Sequence, residues 1–133
     1  MSFTQSLVYS VAMNDGGGAN TRFNWTEANT QAGLISVSES VPEDSTDLLV
    51  AFAVDVSEIK SIVMWCDNAC TVETNSGSVA DETFNLLAGV PMIWNANMLE
   101  ANPWATDVTA LYVTTATVGA SAFNIRCVYD PTI

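Results

Sequence analysis

Three cysteines, fifteen carboxylates and no histidine set the chemistry open to this chain of 133 residues. Cys66, Cys70 and Cys127 fall one ligand short of a tetrahedral zinc set unless a carboxylate joins them. Cys66 and Cys70 flank Asp67-Asn68-Ala69. A hairpin with a three-residue loop would bring them across from each other, within disulfide reach if their side chains share a face. Reduced, buried thiols are the other reading, and a chain made in the cytosol favours it. Without histidine neither a Ser-His-Asp nor a Cys-His arrangement can be built, so a general base would have to be a carboxylate or the lone Lys60. Carboxylate pairs of the glycosidase kind arise by chance among so many acids, and nothing marks one pair. Asp15-Gly16-Gly17-Gly18 lacks the Gly-Lys-Ser/Thr that completes a phosphate-binding loop and reads as a turn between strands. Asn24-Trp25-Thr26 fits a glycosylation sequon, which matters only on a secretory route. The expectation is a protein with no catalytic set, no metal and no cofactor.

Against the fifteen acids stand Arg22, Lys60 and Arg126, for a net charge of -12. Binding to nucleic-acid phosphates or an anionic membrane needs Lys and Arg to release counterions, so neither partner is expected; an acidic partner is disfavoured and a basic or apolar one is not. Apolar residues make up 49% of the chain and charged ones 14%, enough for a real core in a single domain spanning 1–133. No apolar run reaches the ~18–20 residues of a bilayer-crossing helix. The longest are stretches such as Leu48 to Val54. Met1 to Ser10 lacks the features of a secretory signal, so the chain reads as made whole in the cytoplasm.

Two-residue alternation dominates and helical spacing is scarce. Leu7 to Ala12 gives a first strand ending in the Asn14–Gly18 turn, with residues 1–20 either that strand or an extended arm. Thr21, Phe23 and Trp25 alternate with Arg22, Asn24 and Thr26 as a half-buried strand, and Leu34 to Val41 repeats the device. Glu39 falls on the apolar side there, which predicts an edge. Leu48 to Val54 carries apolar residues on both faces and reads as central. Asp55 can cap a single helical turn. Ile59 to Cys66 with Cys70 to Asn75, Thr83 to Leu87 with Val90 to Asn95, and Ala110 to Thr115 with Ala122 to Tyr129 read as three hairpins. Asn97 to Thr106 reads as a loop. The sum is an all-β, single-domain antiparallel β-sandwich of eight to ten short strands, of the jelly-roll kind.

Four Trp, five Met and five Phe exceed what so small a core needs, and the surplus is expected at interfaces. Trp94, Met98 and Trp104 around the irregular segment, with Trp25, are the candidate contact residues; a satellite core under a long loop is the alternative.

Asp47-Leu48-Leu49-Val50, Asp55-Val56-Ser57-Glu58-Ile59-Lys60, Thr74-Asn75-Ser76 and Leu87-Ala88-Gly89-Val90-Pro91 leading to Trp94 resemble the capsid cement, or decoration, proteins of tailed bacteriophages. The likeness continues more weakly through Thr106-Asp107-Val108-Thr109 to Val113 and does not reach the first 45 residues. It implies a β-sandwich that forms homotrimers, binds the major capsid protein on the outer face of an icosahedral shell and stabilises it, in virions assembled in a bacterial cytoplasm. The competing expectation is a carbohydrate- or receptor-binding module of fibre-like or lectin-like type. There Trp25, Trp94, Trp104 or Tyr112 would stack on sugar rings, and Asp67 or Asp107 would hold calcium or hydroxyls.

Overall fold

The computed structural model describes residues 2–14, 16–17, 20–116 and 119–131, with backbone alone at positions 7, 9, 11–14, 20–23, 25, 27 and 29. Strands β1 (Phe3–Asn14) and β2 (Asn20–Gln31) pair antiparallel over their whole length, from Phe3 opposite Gln31 to Asn14 opposite Asn20. At strand rise this is a ribbon about 40 Å long. It forms a sheet of its own, and it touches the rest of the protein chiefly at β10 (Ser121–Tyr129) and β5 (Ile59–Cys66). Part of the expected glycine turn, at Asp15 and Gly18, lies outside the described residues.

The other strands are β3 (Gly33–Val41), β4 (Leu48–Val50), β6 (Cys70–Thr74), β7 (Thr83–Leu86), β8 (Met92–Asn95) and β9 (Leu111–Thr114). With β5 and β10 they pair as one long hairpin folded over on itself: β3 with β10, β4 with β9, β5 with β8 and β6 with β7, all antiparallel. The β10–β5 and β6–β9 pairings join these into two sheets, ordered β3-β10-β5-β8 and β4-β9-β6-β7. This is the strand order of a jelly roll. Inward residues of both sheets make the core, among them Ile62, Met64, Val72, Leu111, Val113, Phe123 and Ile125.

The three expected hairpins are crossovers instead. β5 and β6 lie in different sheets, as do β7 and β8, and β9 and β10. A link of a few polar or glycine residues suits a tight turn or a sandwich corner equally well. Alternation shows that one face is buried, without naming the strand that covers it. The segment after Leu48 also differs from expectation: only Leu48–Val50 is strand, at a sheet edge, with Leu49 58% exposed and Ala51 and Ala53 exposed. Small and aliphatic outward residues there mimic a two-sided strand. The edge at Glu39 is as expected, since β3 is an edge strand and Glu39 is exposed.

Along β10 the pleat turns Val128 outward, yet it is buried. Phe3, Thr4 and Gln5 at the base of the ribbon line a cleft with Leu34, Arg126 and Val128, so the ribbon shelters this patch of the outer face. A register shift at Val128/Tyr129 sets Tyr129 opposite Ile59 and returns Ile59 to the core.

Asp55 caps the 3-10 turn Val56–Glu58, accepting from the Ser57 hydroxyl at 2.6 Å and from the Ser57 N–H at 2.8 Å. These two bonds, the hydroxyl first, hold its carboxyl below the usual carboxylate range. A carboxyl lowered on folding contributes stability above its unfolded pKa and loses it as pH falls through the folded value. Asp55→Ala is therefore expected to lower Tm at neutral pH, with the gap to the parent closing below about pH 4. Thermal melts of both proteins across pH 2–7 check it; a constant gap would mean that the charge is not what stabilises the turn.

Candidate functional site

The aromatic residues singled out from the sequence are mostly structural. Trp104 is 1% exposed and packs edge-on to Phe52 at 5.6 Å between ring centroids and tilted to Phe84 at 6.3 Å. The 97–106 segment is a loop as expected, and it tucks this side chain into the end of the core. Its docking is fixed by Glu82, whose carboxylate accepts from the Ala105 N–H at 2.9 Å and from the Thr74 hydroxyl at 2.6 Å. Trp94 on β8 is also a core residue, its ring N–H donating to the Glu100 carbonyl at 2.9 Å. Both are corrections to their reading as contact residues: a Trp next to a loop is as useful for closing a core as for meeting a partner. Met98 is half-buried. Trp25 sits opposite Tyr9 in the ribbon, and its side chain lies outside the described residues.

Cys66, Cys70 and Cys127 are free thiols, all buried. Burial pushes the Cys127 thiol up to about 12. Burial, followed by the charge and hydrogen bonding of Cys66, does the same to Cys70. Neither group is a ready nucleophile at neutral pH.

The carboxylates act as local ties. Asp107 accepts from the Val56 N–H at 2.9 Å, and its backbone carbonyl accepts from the Asn75 amide at 2.9 Å. Asn75, with φ 67°, also donates to Asp81 at 2.6 Å and accepts from the Thr109 N–H at 2.7 Å. Asp55, Glu58 and Asp107 border an open cleft of about 390 Å³, where Oδ1 of Asp55 and Oδ1 of Asp107 accept from the backbone of the 3-10 turn. Among the described residues no three His, Cys, Asp or Glu side chains converge as metal ligands. Arg126 is likewise engaged: it donates to the Val37 and Ile125 carbonyls at 2.8 and 2.9 Å and lies 5.5 Å from the centre of the Trp65 ring.

What remains is an apolar surface at one side of the sandwich. β7 and β8 are each an edge strand of their sheet, and between them runs a shallow groove of about 460 Å³. Phe84, Leu86, Leu87, Val90, Pro91 and Met92 line it, with no ionisable side chain. Leu87 is 67% exposed and Val90 50%. An apolar, concave surface flanked by unpaired strand edges is suited to a protein contact rather than to catalysis. Leu87 and Val90 were missed from the sequence, although a signal was there: the seventeen residues from Thr83 to Leu99 carry no charge, in a chain of net charge -12.

Comparison of the chain with family models, with curated proteins and with solved structures found no match.

Proposed function

We propose that this protein is a structural component of a virion: a capsid cement or decoration protein that binds the major capsid protein on the outer surface of an icosahedral phage shell, as a homotrimer. The observation that carries this reading is the uncharged β7–β8 groove, with Leu87 and Val90 exposed on the turn that joins the two strands. A chain of net charge -12 is repelled by packaged nucleic acid, and its neutral face is where a shell protein can approach without meeting like charge. The cement-like stretch from Thr46 to Trp94 includes most of the groove, and an array of many copies turns a modest contact into firm attachment. Of the four aromatics that the carbohydrate-module reading named, Trp94 and Trp104 are packed in the core, which leaves Trp25 and Tyr112 as its candidates for stacking on a sugar.

Two measurements test the proposal. Native mass spectrometry should give three times the chain mass, with a Tm that does not respond to calcium or oligosaccharides; a monomer whose Tm rises with either ligand overturns the reading. Leu87→Asp combined with Val90→Asp should weaken co-sedimentation with purified shells more than tenfold, since burying each such side chain is worth roughly 1.5–3 kcal/mol. Both positions are solvent-facing in the free protein, so its Tm should change little. Unchanged binding would remove the groove from the proposal.

A further inference from the structure

We infer that Cys66 and Cys70 form a modification site: in the folded protein a small two-electron oxidant joins them in a disulfide that clasps the two sheets at the β5–β6 corner and leaves Cys127 a thiol. Cys66 is the last residue of β5 in one sheet and Cys70 the first of β6 in the other. Both belong to the core between the sheets. The chain bends at Asp67 and Asn68, so the three-residue link turns from one sheet into the other at once. Every residue of that link is pinned. The Asp67 N–H donates to the Ala122 carbonyl at 3.2 Å, the Asn68 amide to the Ser121 hydroxyl at 2.7 Å, and the Ala69 carbonyl accepts from the Thr115 hydroxyl at 3.2 Å. The Cys66 carbonyl accepts from the Gly89 N–H at 2.8 Å. Two thiols are thus held on a fixed corner and face the same interior, near enough for Cys66 to hydrogen-bond Cys70.

Cys127 is excluded as the partner of Cys66 by register. Cys66 stands opposite Phe123 on β10, four residues from Cys127 along the same strand, or roughly 13 Å. A disulfide tolerates a Cα separation of only about 7 Å.

In the reaction both S–H bonds break and one S–S bond forms. Two protons and two electrons pass to the oxidant, for instance the N=N bond of an azodicarboxamide, which becomes a hydrazine. The attacking species is a thiolate. Desolvation of Cys70 therefore makes closure slow at neutral pH and faster as the solution becomes alkaline.

The test is azodicarboxamide (diamide) oxidation of the native protein, followed by alkylation under denaturing conditions, intact mass and peptide mapping. The expected product has lost the mass of two hydrogens, carries one alkyl group on Cys127, and yields a peptide linked through Cys66 and Cys70. Its Tm should exceed that of the reduced form by roughly 5 °C. Cys127→Ser should close the same bridge and Cys70→Ser should not. If Cys70→Ser fails to fold, the peptide map of the parent decides alone. A bridge containing Cys127, a covalent dimer, or three alkylated cysteines under conditions that oxidise the denatured chain would each overturn the site. A bridged form that melts no higher than the reduced one would overturn the clasp.

Discussion

Trp104→Ala is expected to lower the unfolding free energy by about 3–5 kcal/mol, read from the urea midpoint with the slope unchanged. The side chain is enclosed by Phe52 and Phe84, and it sits on a loop with no strand of its own to replace the lost volume. Its ring N–H is buried and finds no acceptor among the described residues. Trp104→Phe should therefore cost much less, below about 1.5 kcal/mol, because it keeps the aromatic packing and deletes a donor that is already unsatisfied. A loss near 1 kcal/mol for Ala would mean that the loop is not docked on the core. A loss for Phe as large as that for Ala would mean that the indole N–H has a partner.

The second large effect is expected at Gly33, the first residue of β3 and the cross-strand neighbour of Tyr129. A Cβ at position 33 would lie 2.5 Å from the Tyr129 ring, with its three nearest atoms all in that ring. The tyrosine lies across the glycine and covers its backbone, a way for an edge strand to recover packing where a side chain is missing. Gly33→Ala must push the ring aside, at a cost of about 1–3 kcal/mol. In a Tyr129→Ala background the same methyl should cost little, so a double-mutant cycle should return a coupling of similar size. Strictly additive losses would show that the ring is not the obstacle.

Most of the elements were legible from alternation alone, because a β-strand with one wet face writes its burial directly into the sequence. Ile59 to Cys66 and Ala122 to Tyr129 are strands as expected, Asp55 caps its turn, and Glu39 marks an edge. Strand partnership was not legible. In this topology each sheet is assembled from strands far apart in the chain, and Asp67-Asn68-Ala69 is as good a corner as it is a hairpin loop. The same limit explains Leu49, whose neighbours gave it the look of a core residue although no second layer covers it. For the proposed contact surface the sequence singled out Trp94 and Trp104, which the fold places in the core. Hydrophobic size favoured them, whereas local absence of charge, combined with exposure on the β7–β8 turn, picks out Leu87 and Val90.

The place of β10 between β3 and β5 has a consequence for how the protein is made. On a ribosome, β3 emerges and then waits for β4 to β9 to be made before the strand that zips it to the rest exists. Contacts so distant in sequence make maturation slow and all-or-none, while the β1–β2 ribbon, whose pairings are local, can form at once. A product terminated before Ser121 would keep its ribbon and leave two unsatisfied strands facing an empty slot, a nascent species exposed to aggregation until β10 arrives.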